Sequence, residues 1–464
     1  MSTGDIVVVN PYTGQEVGHV PRGTAEDIDA AVRTATAGAQ TMRRMPAHKR
    51  AAILRTTASL LEARAKPLGE TLVSESGKTI REARAEIVRA AGIFQLAAEE
   101  CRRIHGETVP FDALPNGEGR TGYWTREPVG IVGAITPWNV PVALAAHKIG
   151  PALAAGNAVV LKPAEQTPLN ALALADALYE AGLPREALTV VTGLGEEAGD
   201  ALVRHPDVPF VSFTGSREVG MRLPGRAGFK RVTLELGGNS PVIVAPSANI
   251  IEAAAAIVRG GYAVAGQLCI SVQRVVVHRS IRDALAAEIL PRVQALKLGD
   301  PRDASTDVGT LISGEACARV AERVDAARAG GARVLTGGKR LGEASYSPTV
   351  LDTVAPDSDL AREEAFAPLI LMVEYDTIDE AIAIANDTPY GLNAGIYTND
   401  LSEALLAARE IVAGSIMIND VPSFRSDLMP YGGRKQSGLG REGVRFALEE
   451  MTDLKLVCFN AMRA

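Results

Sequence analysis

The sequence predicts an α/β protein built on parallel sheet. Two observations carry this. Between residues 131 and 236, apolar runs such as Ile131-Val-Gly-Ala-Ile-Thr136, Ala158-Val-Val-Leu-Lys162 and Phe210-Val-Ser-Phe213 alternate with helical patterns. Strands that are apolar at nearly every position are buried on both faces, and parallel neighbours need a helical crossover between them. A second alternating region runs from Pro241 to Asp420, so two α/β units meeting near residue 237 are expected. At 464 residues the chain exceeds one comfortable core, which agrees with that division.

Taken in order, Ile6-Val-Val-Val9 and Val17-Gly-His-Val20 flank the turn residues Asn10-Pro-Tyr-Thr-Gly14 and predict a hairpin. From Ala25 to about His105 the alanine and leucine spacing is helical. Pro110, Pro115, Asn116, Gly117 and Gly119 then break the pattern, and a short strand is predicted at Tyr123-Trp-Thr-Arg126. The alternation that follows gives strands at 131–136, 158–162, 188–192, 210–213 and 231–236, with helices over 143–154 and 169–181 and from Ser216. In the second region, strands are predicted at Pro241-Val-Ile-Val244, after Cys269, at Arg333-Val-Leu335, Leu369-Ile-Leu-Met-Val373 and Ser415-Ile-Met-Ile418. The tail, 449–459, ends in a strand-like run without an obvious local partner, which suggests pairing elsewhere, either far away in the chain or in another subunit.

Composition excludes several classes. A net charge of -7 argues against a nucleic-acid surface. The longest apolar stretch, Val140 to Leu161, carries Pro141, His147, Lys148, Pro151 and Asn157, which makes it a poor membrane span and a good buried helix and strand. Cys101, Cys269, Cys317 and Cys458 lie far apart without CxxC spacing, and the histidines form no HxxxH pair, so neither a metal site nor a disulfide framework is expected. The first residues lack the basic and apolar blocks of an export signal, and a reducing cytoplasm fits best.

Chemistry is suggested first by Gly266-Gln-Leu-Cys269-Ile-Ser271, where a thiol stands between a glycine turn and an apolar strand. Such a cysteine is either a nucleophile or a small buried hydrophobe. A nucleophile needs an oxyanion donor and a base. Asn139, in Thr136-Pro-Trp-Asn139 at the first strand end, offers an amide donor or is a turn residue. Glu235, in Glu235-Leu-Gly-Gly238, is a candidate general base or a surface carboxylate. Phe213-Thr-Gly-Ser216 opens a helix whose first amides suit a pyrophosphate. Gly193-Leu-Gly195-Glu-Glu-Ala198 matches the letter of a dinucleotide fingerprint, but it follows the third strand and its glutamates would repel phosphate. In Lys162-Pro-Ala-Glu165 a carboxylate suits free ribose hydroxyls and so favours NAD over NADP.

With Glu363-Glu-Ala-Phe-Ala-Pro368 and Pro430-Tyr-Gly-Gly-Arg-Lys435, these motifs in this order resemble the aldehyde dehydrogenase superfamily over nearly the whole chain. The resemblance implies a parallel-sheet Rossmann-type cofactor domain over 1–106 and 128–237, an α/β catalytic domain over 238–446, and bridging or oligomerisation elements at 107–127 and 447–464. It implies NAD-dependent oxidation, NADP being possible, of an aldehyde to a carboxylic acid through a thiohemiacetal and a thioester on Cys269. Asn139 would hold the oxyanion and Glu235 would activate water. Relatives that pass the acyl group to coenzyme A lack such a glutamate, so hydrolysis is expected. Lys162 and Glu165 would bind the adenine ribose, Trp138 and Ser216 would lie near the pyrophosphate, and Glu364 and Phe366 would hold the nicotinamide ribose and ring. Ala367 departs from the glycine usual in that last motif.

The substrate mouth is expected to gather Arg89, Val140, Leu268, Ile270, Arg425 and Tyr431. Leu268 stands where relatives acting on phosphorylated or phosphonylated aldehydes often place an arginine, which counts against a strongly anionic substrate. Arg89 and Arg425 occupy mouth positions where such relatives also place arginines, unless they are solvated or paired with Asp420 or Asp427. The loop from Asn419 to Tyr431 is similar to the branch holding lactaldehyde and glyceraldehyde-phosphate-type dehydrogenases. A small, hydroxylated or singly anionic aliphatic aldehyde is therefore expected, with an aromatic or broad-range enzyme as the alternative. The non-enzyme alternative is a silent nucleotide-binding or structural protein, whose mark would be loss of the cysteine, asparagine or glutamate. The resemblance also implies a homodimer or homotetramer.

Overall fold

The computed structural model describes residues 4–460. A six-stranded sheet has the order Gly438–Leu439, Arg231–Glu235, Phe210–Thr214, Ile131–Ile135, Ala158–Lys162, Leu188–Val190, and only the first of these runs antiparallel. Ile131–Ile135 comes first in the chain among the parallel strands yet lies centrally, flanked by Ala158–Lys162 and Phe210–Thr214. The winding reverses beside it. A crevice forms beyond the strand ends at such a switch point, and Thr136–Asn139 leaves the sheet there.

The second sheet has seven strands in the order Arg333–Thr336, Thr349–Asp352, Leu369–Tyr375, Val272–His278, Ser240–Val244, Asn393–Tyr397, Ser415–Ile418. Only Arg333–Thr336 is antiparallel. The strand that follows Cys269 is central in it, and two of its members had no clear sequence signal. Asn393-Ala-Gly-Ile-Tyr397 has little intrinsic strand propensity, and pairing with Val242–Val244 imposes its conformation. Thr349–Asp352 is held between two other strands.

The terminal strand pairs far away in sequence, as expected, and its partner lies in the same chain rather than in another subunit. Thr452–Asn460 pairs antiparallel with Arg120–Pro128 along its nine residues, within the same chain. Residues 107–127 therefore do not leave the body as an isolated loop. They return as the partner strand, over 300 positions away in sequence, which is why no local signal revealed it.

The helices are stopped and capped by identifiable side chains. Pro141–Ala155 is buried at all fifteen positions, opens on a proline at its first position, and ends at Gly156 in the left-handed conformation. It packs against Ile80–Glu100, where Gly150 approaches the Ala97 side chain closely. Thr79 and Glu82 form a capping box at the start of Ile80–Glu100. The other oxygen of Glu82 accepts the Val264 amide at 2.6 Å, tying this helix to the turn before Cys269. In that turn Val264, Ala265 and Gly266 all have positive φ, of 51°, 53° and 71°. For a β-branched valine this is strained backbone, which persists only where the surroundings over-determine it. Gly266 is required, since a Cβ there would lie 2.0 Å from the Ala367 carbonyl oxygen.

Candidate active site

The turn before Cys269 is fastened from several sides. Gln267 donates its side-chain amide to the carbonyls of Val264 and Thr310 and accepts from the Ile312 amide. Ser271 donates to the carbonyls of Gly260 and Gly261. From the other sheet, Gly238 lies so close that a Cβ would stand 2.2 Å from the Cys269 carbonyl oxygen. The Glu235–Gly238 segment and the thiol loop thus meet backbone to backbone. Cys269 is partly exposed, so a small molecule can reach it, yet burial of the thiol pushes its pKa up to about 12. A hydrogen-bonding contact with Tyr431 Oη, 3.2 Å from Sγ, and the nearby Arg425 charge oppose that rise.

Asn139 is brought to the thiol loop. Its Nδ2 donates to the Gln267 carbonyl at 2.8 Å, which leaves the second amide hydrogen for another acceptor. Its own carbonyl accepts from Lys78 Nζ at 2.7 Å. Lys78 is paired with Glu86, and Glu86 Oε1 accepts from the amides of Val142 and Ala143. This buried pair holds the Asn139 carbonyl and the helix start that follows it. Sequence reading did not mark either residue; a lysine and a glutamate eight positions apart near a helix start look like ordinary surface charges.

Glu235 ends its strand 3 % exposed, and among the described residues neither carboxylate oxygen has a hydrogen-bond partner. Burial, and next to it the negative Glu442, push its pKa well above the carboxylate range. Glu442 behaves oppositely. Burial alone would raise its pKa, but Lys148 and Arg425 outweigh burial and hold it ionised. Lys148 Nζ spends its three donors on Glu442 Oε1 at 2.8 Å, Ser212 Oγ at 3.0 Å and Thr214 Oγ1 at 2.8 Å. Arg425, with its side chain 8 % exposed, donates to Glu442 Oε2 at 3.1 Å and lies 3.7 Å from the Tyr431 ring centroid. A continuous buried chain therefore runs Lys148, Glu442, Arg425, Tyr431, Cys269. Its sequence signal was present: a lysine and a histidine inside an otherwise apolar helix must have buried partners.

The mouth residues divide. Arg89 forms a bidentate pair with Asp427, Nη2 donating to Oδ1 at 2.6 Å and Nε to Oδ2 at 3.2 Å, and His147 Nε2 contacts the same carboxylate at 2.9 Å. Arg425 pairs with Glu442 rather than with Asp420 or Asp427, because the loop turns its side chain inward. Its Nε has no hydrogen-bond partner among the described residues. Leu268 and Val140 are half-buried, whereas Ile270 is buried against Leu392 and Tyr431 and supports the thiol from behind.

On the other side of the thiol loop lies a cavity of about 380 Å³ lined by Trp138, Gln166, Gln267, Arg319, Glu364 and Phe366. Trp138 meets Phe366 edge-on at 5.4 Å, and Phe366 has a left-handed φ of 49°. Glu364 accepts from the Gly238 amide at 3.0 Å, and burial pushes its pKa up to about 7. A Cβ on Gly237 would stand 2.4 Å from Glu364 Oε2, so a larger residue there would shift the Glu364 carboxylate. Lys162 Nζ donates to Glu165 at 3.1 Å at the end of its strand, and Ser216 caps the helix Arg217–Ala227. The Gly193–Ala198 run serves packing instead. Gly193 lies against Gly23 and Ala198, and Glu197 pairs with Arg22.

Comparison with known proteins gives a consistent result. Residues 1–457 match the aldehyde dehydrogenase family. The chain is 46 % identical over 457 residues to aspartate-semialdehyde dehydrogenase 1 of Pseudomonas canavaninivorans, covering 98 % of this chain and 97 % of that one. It is 45 % identical over 453 residues to a 3-sulfolactaldehyde dehydrogenase of Priestia aryabhattai, covering 98 % and 94 %. The crystal structure of a glyceraldehyde-3-phosphate dehydrogenase from Methanocaldococcus jannaschii complexed with NADP superposes with a TM-score of 0.95 at 39 % identity, covering 99 % of this chain and all of that one.

His147 generates a pH prediction. Burial lowers its pKa from 6.5 to about 4, so the folded state keeps it neutral where the unfolded chain takes up a proton. Its contribution to stability is complete above pH 6.5 and declines as pH falls toward 4. Urea unfolding at pH 7 and 4.5 is expected to show the advantage of wild type over His147→Gln shrinking by roughly 2–3 kcal/mol. An advantage that is constant or grows on acidification would contradict the buried, neutral imidazole.

Proposed function

Because the chain belongs to the aldehyde dehydrogenase family, NAD(P)-dependent oxidoreductases acting on aldehydes, we propose that Cys269, Asn139 and Glu235 carry that oxidation here. The observation that carries this reading is Glu235, a buried carboxylate with both oxygens unpartnered among the described residues, on the segment that touches the Cys269 backbone. A buried group left without hydrogen bonds is costly unless a ligand or water takes them up.

The cavity residues fit a nicotinamide dinucleotide. An aromatic pair and a partly buried carboxylate suit the ring and its ribose. A bound dinucleotide would supply the hydride acceptor for the oxidation at Cys269. Cys269, deprotonated, adds its sulfur to the aldehyde carbon, and the oxygen takes the negative charge. The free amide hydrogen of Asn139 and the Cys269 backbone N–H hold that oxyanion. Glu235 then takes a proton from water as the water oxygen bonds to the thioester carbon, the C–S bond breaks, and the thiolate and a carboxylic acid separate, the acid losing its remaining proton to solvent. Glu165 beside Lys162 favours free ribose hydroxyls and hence NAD over NADP.

The substrate reading is a small, hydroxylated or singly anionic aliphatic aldehyde. It is supported by the buried Arg425 cation beside the thiol, which keeps one N–H unpaired, and by the small apolar surface of Leu268 and Val140. The names of the two relatives, for aspartate semialdehyde and 3-sulfolactaldehyde, point to short chains bearing an anionic group. Arg89 is committed to Asp427 and shapes the wall rather than binding substrate.

We also read the protein as a homodimer or homotetramer in a reducing cytoplasm. Thr452–Asn460 is the outer strand of its sheet and exposes Leu454, Leu456 and Phe459, and all four cysteines are free. The three-stranded sheet would then be the bridging element between copies, the six-stranded sheet the cofactor domain and the seven-stranded sheet the catalytic one.

Three outcomes are expected. Glu235→Gln should keep a burst of NADH formation while steady-state kcat falls about 10²-fold or more, because hydrolysis loses its base. In wild type, kcat should climb with pH as Glu235 ionises; an unchanged Glu235→Gln turnover would remove the assignment. Across glycolaldehyde, lactaldehyde, succinate semialdehyde and benzaldehyde, each with NAD and NADP, kcat/KM should be highest for an aliphatic member with NAD. A clear preference for benzaldehyde would select the aromatic reading. Light scattering should give two or four copies, and a monomer would refute the assembly.

A further inference from the structure

Tyr431 Oη stands 3.2 Å from the reacting sulfur, and the tyrosine is 1 % exposed. Its position is fixed from every side. The backbone exchanges two hydrogen bonds with Glu442, at 3.0 and 2.6 Å. One ring face carries the Arg425 guanidinium at 3.7 Å, and Ile270 and Leu392 pack against the side chain. Arg425 is in turn held by Glu442, and Glu442 by Lys148. A phenylalanine would fill the same space. The hydroxyl must therefore serve something other than packing.

With the thiol protonated, either atom of the contact can donate. Once the proton leaves, sulfur has no hydrogen and only the phenol can donate. A neutral O–H donating to an anion is a charge-assisted bond and is stronger than the bond it replaces. The cation on the ring face draws electron density from the phenol and makes it a better donor. No other side-chain donor to Sγ is seen among the described residues, and the surrounding burial disfavours the anion.

We infer that Tyr431 is a catalytic residue of the thiol steps: its O–H donates to the Cys269 sulfur, holds the thiolate facing the carbonyl, and receives it again as leaving group. As the C–S bond forms, charge passes from sulfur to the carbonyl oxygen, and sulfur becomes a weak acceptor. The hydrogen bond weakens there and is regained when water expels the thiolate. Stabilising the thiolate raises its fraction more than it lowers its nucleophilicity. A shift of about one unit raises the fraction tenfold and costs roughly threefold in reactivity.

The inference rests on Cys269 being the nucleophile, and the test separates the two. Iodoacetamide alkylation of the intact enzyme is followed against pH, with the labelled residue located by mass spectrometry and NADH formation measured in parallel. If labelling at Cys269 leaves activity intact, the nucleophile assignment fails. With that assignment standing, Tyr431→Phe is expected to raise the alkylation midpoint by about one pH unit and to lower kcat/KM at pH 7 about threefold or more. Its cofactor affinity and unfolding midpoint should match wild type. A more acidic difluorotyrosine placed at 431 is expected to move the midpoint down. A Tyr431→Phe profile superimposable on wild type overturns the inference. Should Tyr431→Phe not fold, an unmoved midpoint in the difluorotyrosine protein overturns it instead.

Discussion

Lys148 lies in a helix whose fifteen residues are all buried, and its charge is sustained there by Glu442 and two hydroxyls. Taking that ammonium out of water costs several kcal/mol, which only well-placed partners recover. Glu442 consequently stays ionised and fixes Arg425, Arg425 lies on the Tyr431 ring, and Tyr431 touches Cys269. The same negative charge helps keep Glu235 from ionising early. One desolvated lysine thus governs the position of the thiol's neighbour and the protonation of Glu235, the proposed base. Two carboxylates near each other, one held ionised and one poised to take a proton, is how a single site separates structural from catalytic work.

The chemistry also depends on two sheets meeting at very short range. Gly238 and Gly266 are present because a Cβ at either would collide with the backbone of Cys269 or Ala367. Close backbone approach lets Asn139 from one sheet donate to the loop that carries the thiol from the other. The left-handed Val264 and Ala265 are strained, and the Glu82 and Gln267 hydrogen bonds hold them in place. Strain and clamps together keep Cys269 at one address.

Much of this was legible in the residues. Strands apolar on both faces announced parallel sheet, and the turn motifs placed Asn139, Glu235 and Cys269 near strand ends. Less legible were elements whose stability is not local. Asn393–Tyr397 is a strand only because its neighbours make it one, and Thr452–Asn460 found its partner in Arg120–Pro128 across most of the chain. Arg89 and Arg425 looked equivalent in sequence. The structure separates them, one closed off by Asp427 and the other left with an unpaired N–H beside the thiol.

Sequence alone determined the fold class, through periodicity, and the family, through a resemblance carried by short motifs; that resemblance singled out Cys269, Asn139 and Glu235 as the thiol, amide and carboxylate proposed to react. Tertiary structure alone decided that Lys148, Glu442, Arg425 and Tyr431 form one chain ending on Cys269, and that Lys78 and Glu86 hold the Asn139 carbonyl and the helix start that follows it. Those partners lie up to 294 positions apart. Only burial makes their pairing obligatory, since a charge that looks ordinary in a sequence becomes demanding once water is removed.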